Sequence, residues 1–311
     1  EICACLVGSE MCIRDSSGTA IQNGRTSFLG DAFNRDGYHL EVTYGRYTAA
    51  CTWFEMITGQ NVVGNPYAPE TIDPQVVKIA QNAAHYAVQK PDEVTDLVDF
   101  KQPEISDTDL KAPIYIDFGP TSLSATPWNN ITSHQESSTT SWIKDVENNY
   151  TNIGVRVLDG FTATHAGVGS EPASPVTVDG VEFPLTAWKD GLLVKGEKNQ
   201  GDVGPGRIEI SQLDVARKYN FTILAIRFNG SKDARISSYK LVGKTESAVK
   251  EVKTGIKDAA SFAAANFEEY IAKFENVEPD SEGKVIVEVK GLDTGSAAEG
   301  HINALCISLA K

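Results

Sequence analysis

The stretch PIYIDFG, residues 113–119, sets the reading of most of the chain. Ile114, Ile116 and Phe118 alternate with Tyr115 and Asp117, the period of two that puts every second side chain on one face of a strand. Pro before it and Gly after it bound the run. The same kind of segment recurs downstream: NIGVRVLDGF (152–161), RIEISQL (207–213), NFTILAIRFN (220–229), ISSYKLVG (236–243), GKVIVEVKG (283–291) and HINALCISLA (301–310). Gly, Asn, Asp and Pro separate them, and only DAASFAAANFEEY (258–270) has helical character. Strands in this number without helical crossovers predict an antiparallel β-sandwich, a jelly roll, over residues 113–311.

Upstream the pattern changes. Ser17 to Arg46 is rich in Gly, Asn, Asp and Ser and reads as loop and turn. Tyr47, Ala50, Cys51, Phe54 and Ile57 then recur at helical spacing, with Gly59 placed to end that helix. Asp73-Pro74 opens a second helix, Asp as N-cap and Pro in the first turn, whose apolar stripe is Val76, Ala80, Ala83 and Ala87. Pro91 stops it, and the charged, Pro-bounded residues 99–112 read as a linker. Two helices with apolar stripes and no sheet to cover describe the end of a larger α/β domain over residues 17–98. The fold class expected is therefore α+β multidomain.

Of 311 residues, 41% are hydrophobic and the formal charge is −14. That balance argues against nucleic acid, which is bound through clustered Lys and Arg. No apolar run approaches the roughly 20 residues that cross a bilayer. The five cysteines are Cys3, Cys5, Cys12, Cys51 and Cys306. Their spacing matches no zinc site and no disulfide framework, and Cys51 and Cys306 read as small buried hydrophobes. Residues 1–16, EICACLVGSEMCIRDS, lack the ordered regions of a secretion signal. Leu6 to Asp15 resemble one reading frame of a sequencing-library transposase adapter, so the genuine sequence is expected to begin near Ser17 and to have been cut on its N-terminal side.

GTAIQNGRTSFLGDAFNRDGYHLEVTYGRYTAACTWFEMITGQNVVGN, residues 18–65, resembles the C-terminal end of SGNH (GDSL-like) hydrolases, and within them the DUF4886 group of Bacteroidetes. Asp36-Gly37-Tyr38-His39 fits the superfamily's D-x-x-H block. The resemblance implies that His39 is the general base and that Asp36 orients its imidazole, the arrangement that activates a serine hydroxyl. Read locally, Asp36 is a helix-approach cap and His39 a loop residue. The G-D-S nucleophile block and the G-x-N-D block of the family do not occur here, so the chain is expected to be inactive as written. Its parent is expected to be a carbohydrate esterase or O-acetylesterase. His85 sits beside the second helix's stripe as a solvent-edge residue, and His134, His165 and His301 are scattered without metal spacing. No metal or cofactor is called for.

IYIDFG…WNNI, YNFTILAIRFNGSKDARISSYKLVG and GKVIVEVKG…HINALCISL resemble galactose-binding-like and carbohydrate-binding sandwich modules of secreted Bacteroidetes proteins. That resemblance implies a glycan or acylated carbohydrate as partner and a periplasmic, cell-surface or secreted location. Sugar binding needs an exposed aromatic face flanked by amides, and Trp128 with Asn129 and Asn130 is the local candidate. Trp142, Tyr150 and Trp188 lie in loop-like sequence and could join it, burial being the favoured reading of Trp188. QGDVGPGRIEI, with Gly201, Asp202, Gly204 and Gly206, lacks the strand–turn–helix setting of a phosphate loop and reads as a tight turn. A purely structural sandwich, bracing the hydrolase, stays open beside the binding module.

Overall fold

The computed structural model of the chain describes residues 16–35, 39–70, 72–105, 110–195, 205–228, 235–292 and 299–311. The adapter-like segment 6–15, Asp36, and Gly201, Asp202 and Gly204 of the Gly-rich turn lie outside the described residues. The chain divides after Glu104 into two compact units, residues 1–104 and 105–311. The division falls inside the stretch read as linker.

Three helices build the first unit: α1 (residues 16–25), α2 (Tyr44–Thr58) and α3 (Pro74–Gln89). The first corrects the loop reading of Ser17–Arg46. Its Gly and Asn are weak helix formers, and tertiary contacts override them. Ala20 and Ile21 are buried, and Asn23 Nδ2 donates to the Ala83 carbonyl at 3.1 Å. Alanines let α3 be approached closely from two sides. Val76, Ala80, Ala84 and Ala87 meet Tyr47 and Cys51 of α2, while Ile79 and Ala83 meet Ile21, Phe33 and Leu97. Asp73 caps α3 through Gln75 N at 2.8 Å, and Gly59 ends α2 in the left-handed region at φ 68°. An Asp73→Ala change should cost the first unit about 1 kcal/mol, read as a lower urea midpoint of its helical signal.

The stripe expected on α2 is half right. Tyr47 and Cys51 are buried, but Ala50 is exposed and Ile57 is 69% exposed. The buried face runs instead through Thr48, Thr52 and Glu55. Polar side chains can line it because they are satisfied internally: Thr48 Oγ1 donates to Tyr44 O, Thr52 Oγ1 to Thr48 O, and Glu55 accepts from Val62 N.

The second unit is a β-sandwich. One sheet runs β15 (Ile271–Val277), β10 (Tyr219–Leu224), β18 (Ala304–Leu309), β1 (Ile114–Phe118), β2 (Trp128–Ile131). The other runs β13 (Lys250–Lys253), β12 (Ile236–Val242), β16 (Val285–Leu292), β9 (Gly206–Ser211), β4 (Gly154–Asp159), β3 (Thr139–Thr140). Ile114, Ile116 and Phe118 point between the sheets as their alternation predicts, against Val155, Val157, Ile208, Val287 and Leu241.

Tyr115 and Cys306, on the opposite face of the five-stranded sheet, are covered in turn. Over them lie the hairpin β6 (Val176–Val178)–β7 (Val181–Phe183), α4 (Leu185–Lys189), α5 (Ala259–Ala263) and the pair β11 (Arg227–Phe228)–β14 (Gly255–Ile256). This sheet is therefore buried on both faces, which is why HINALCISL and TILAIRF are almost wholly apolar rather than alternating. A smaller sheet orders β17 (Glu299–Ile302), β8 (Gly191–Lys195), β5 (Ala163–His165).

Two pairs depart from the antiparallel expectation: β1 with β2 and β11 with β14 are parallel. The segment read as a helix at 258–270 is two short pieces, α5 and a 3-10 turn at Phe267–Tyr270, followed by β15, which local pattern did not reveal. HINALCISLA is not one strand either. It breaks at Asn303 into β17 and β18, which pair with different sheets.

Candidate functional site

His39 is exposed and lies in the turn before α2. Its carbonyl accepts Arg35 N at 3.1 Å, and the bridge between Asn34 and Leu40 closes the base of that turn. Two residues on, Glu41 Oε2 accepts Thr43 N and Tyr44 N, both at 2.7 Å, and so caps α2. Asp36 being outside the described residues, the structure gives no geometry for the pair. It does give one that the sequence reading missed. His85 is no free solvent-edge residue: its Nδ1 meets Glu55 Oε1 at 2.7 Å and its Nε2 meets Gln89 Nε2 at 2.8 Å. Gln89 donates to Nε2, so the imidazole donates through Nδ1 to Glu55, and the contact ties α3 to α2.

Trp128 is half-buried at the start of β2. Its ring lies 5.1 Å from Tyr115 and 5.7 Å from Phe183, centroid to centroid. The neighbouring amides hold backbone. Asn129 Nδ2 donates to Tyr115 O (2.9 Å) and Lys144 O (2.7 Å), and its Oδ1 accepts Lys144 N (2.8 Å). Asn130 closes a ring with Ser124, accepting its N at 2.8 Å and donating to its O at 3.0 Å. Trp188, in α4, is fully buried, stacked 5.0 Å from Phe262. Lys144 lies over the Tyr150 ring at 4.2 Å.

A further polar cluster joins residues with no local relation in sequence. β5 ends at His165, β17 carries His301, β11 begins at Arg227, and Arg235 immediately precedes β12. Thr254 stitches the two arginine-bearing segments, its carbonyl accepting Arg227 N at 2.6 Å and its N donating to Arg235 O at 2.9 Å. The imidazoles pack edge to face with centroids 4.9 Å apart. Arg227 Nη1 donates to His165 Nδ1 at 3.2 Å and to Ala166 O at 2.9 Å. Arg235 Nη2 pairs with Glu299 Oε2 at 3.2 Å, while His301 Nε2 stands 3.7 Å from the same oxygen, beyond hydrogen-bond reach.

His165, His301 and Arg235 are 4%, 0% and 4% exposed. Yet among the described residues His165 Nε2, both ring nitrogens of His301, Arg227 Nε, and Arg235 Nε and Nη1 have no hydrogen-bond partner. Burial lowers the pKa of both histidines, and the neighbouring cations lower it further. Both guanidiniums are also pushed down by burial, and the positive charge of Arg235 and Arg227 lowers Glu299. Glu299 meets Arg235 directly, and both Glu299 and Glu171 bear on Arg227, so the two guanidiniums have two carboxylates near them. Buried donors are normally satisfied and buried charges paired. Nothing in the local sequence announces this cluster: ATHAG, AIRFN, DARIS and GHINA each carry one basic residue in an apolar setting. Among the described residues no group of three or more His, Cys, Asp or Glu is arranged to hold a metal.

The family described as "Domain of unknown function (DUF4886)" matches residues 3–87. A crystal structure of a DUF4886 family protein from Bacteroides uniformis is 66% identical over 27% of this chain and 33% of its own, with a TM-score of 0.27. The chain thus spans about a third of the length of that relative. The ANX2 ectodomain of Arabidopsis thaliana is similar at 7% identity over 55% of this chain and 53% of its own, TM-score 0.36. TmCBM61, solved with β-1,4-galactotriose, is similar at 13% identity over 50% of this chain and 88% of its own, TM-score 0.27. No curated protein matches the chain.

Proposed function

We propose that the sandwich unit is a non-catalytic glycan-binding module carried on the C-terminal part of an SGNH-type ester hydrolase domain. The observation that carries the binding role is Trp128, half-buried at the start of β2 with its ring 5.1 Å from that of Tyr115. An aromatic ring held in place by its neighbours can stack on a sugar ring without being ordered first. The apolar faces of the five-stranded sheet are occupied, and Trp128 remains only partly buried against them.

A panel of immobilised glycans probed with the whole chain tests this. Retention on at least one glycan, reduced by Trp128→Ala, is expected. Retention on none, with the chain folded, would remove the binding role and leave a bracing sandwich.

The hydrolase ancestry rests on Asp36-x-x-His39 lying in the stretch matched by DUF4886. In that reading His39 takes the serine proton and Asp36 fixes its tautomer. Since the chain holds no G-D-S block, p-nitrophenyl acetate should be hydrolysed no faster than in buffer. Turnover that disappears with His39→Ala would show a nucleophile of another kind. The same reading expects a periplasmic, cell-surface or secreted protein, which fractionation of the producing bacterium checks.

A further inference from the structure

We infer that His165 is an acid-sensitive latch: a proton taken up on its Nδ1 expels Arg227 and lets the end of β5 open together with the loop 166–171. Arg227 Nη1 donates to His165 Nδ1 at 3.2 Å, so this nitrogen is the bare one and the neutral ring carries its hydrogen on Nε2. The same Nη1 donates to Ala166 O at 2.9 Å. One guanidinium nitrogen thus ties β11 to the last residue of β5 and to the residue after it. A proton on Nδ1 turns the acceptor into a second donor and sets an imidazolium against a guanidinium. Arg227 is then pushed away from both oxygen and nitrogen partners.

The groups around the ring do not stabilise that proton. β11 contributes Arg227, Arg235 stands just before β12, and β17 contributes His301, edge to face at 4.9 Å. Lys189, in α4, lies against Gly167 of the loop. The carboxylates are engaged elsewhere. Glu299 of β17 pairs with Arg235 and stands 3.7 Å from His301, while Glu171 accepts Val168 N and Gly169 N and bears on Arg227. Only the Ala166 backbone favours charge on His165. The side chain is 4% exposed, so water cannot solvate an imidazolium while the strand is closed. Opening admits water, and β5 can open locally: it has three residues, lies at the edge of its sheet and pairs only with β8. Burial first, then His301 and the two arginines, hold His165 well below its ordinary value of about 6.5. Its contribution to the closed state is therefore complete above about pH 6.5 and is lost as pH falls below it. For one such histidine the opening constant rises about tenfold between pH 7.5 and pH 5.5.

Hydrogen exchange of the whole chain tests the latch, read by mass spectrometry as protection factors over residues 162–171 and 285–292 at the same two pH values. Protection over 162–171 should fall about tenfold at pH 5.5, while 285–292, in β16, keeps its value. His165→Asn places an amide oxygen where Nδ1 stands and never charges, so its protection over 162–171 should be equal at both pH values. Nitrogen NMR of the labelled parent gives a reading that needs no variant: the His165 ring should stay neutral in the closed state at pH 5.5. Unchanged protection in the parent would overturn the latch, as would an equal fall in a folded His165→Asn variant. An equal fall over both segments would show a global loosening and remove the local device. A His165 ring that titrates near pH 6.5 with its strand still protected would do the same.

Discussion

Replacing Asp117 with Asn is expected to raise the thermal midpoint of the sandwich at pH 8 and to flatten its dependence on pH. Asp117 is fully buried on β1, and its neighbour Asp190 is fully buried after α4. Asp190 is well supplied: Oδ2 accepts Thr121 N and Oγ1, both at 2.7 Å, and Ser122 N at 3.1 Å. Gly119 has to be glycine for this to happen, because at φ 142° a β-carbon would stand 2.5 Å from the Asp190 carboxyl carbon. Asp117 has less, with Ser124 N at 3.0 Å on Oδ2 and nothing on Oδ1, and Asp190 Oδ1 is likewise without a partner. Burial first, and the charge of Asp190 next, lift the Asp117 pKa from 3.8 to about 7.

The sign follows from linkage. A carboxyl whose pKa is higher folded than unfolded favours the folded state most when protonated, below about pH 4. That stability is lost as pH climbs to about 7 and is gone above it. Three pKa units correspond to at most about 4 kcal/mol. An amide stays neutral throughout, keeps an acceptor for Ser124 N and offers an N–H on the Asp190 side. The Asn variant should therefore exceed the parent by roughly 10 °C at pH 8 and by little at pH 4, on the usual 2–4 °C per kcal/mol for a unit of this size. Calorimetry across this range reads the difference, which cancels the opposite contributions of Glu299 and the buried histidines. Parallel curves for the two proteins would show that Asp117 does not titrate in this range.

Why some of this was legible and some not comes down to the range over which each signal acts. Ile114–Ile116–Phe118 and Val285–Val287–Val289 carry their own period, so strand, face and core position could be read from a few residues. Asp73-Pro74 and Gly59 announce α3's start and α2's end because caps are chemistry between near neighbours. α1 was not legible: its Gly and Asn argue locally for loop, and only the packing of Ala20 and Asn23 against α3 makes it helical. The amides of Asn129 and Asn130 looked available because their acceptors, Tyr115 O, Lys144 O and Ser124 O, are backbone groups. The Arg–His cluster is the extreme case, since His165 and His301 touch only after β5 and β17 have both paired with β8.

The largest loss of stability is expected at Asn303, the residue at which the final apolar run breaks. Its side chain is fully buried and every hydrogen-bonding group on it is used. Oδ1 accepts Ile226 N at 2.8 Å, and Nδ2 donates to Trp188 O at 2.9 Å and Asp190 O at 2.6 Å. Its backbone adds Asn303 N to Leu224 O at 3.1 Å and Phe118 N to Asn303 O at 2.8 Å. One amide thus satisfies the irregular backbone where β10 gives way to β11 and where α4 gives way to β8. Asn303→Ala leaves one buried N–H and two buried carbonyls without partners, at about 1–3 kcal/mol each, so a loss of about 4 kcal/mol is expected once relaxation is allowed for. Asn303→Asp separates the two halves of the argument. A carboxylate still accepts Ile226 N but cannot donate to either carbonyl, and it adds a charge beside the Asp117–Asp190 pair, so it should be no more stable than the alanine variant at pH 7. Urea midpoints of the parent and both variants read this directly. If the aspartate variant kept the parent's stability, the two donated bonds would be shown to contribute little, and the break at Asn303 would need another cause.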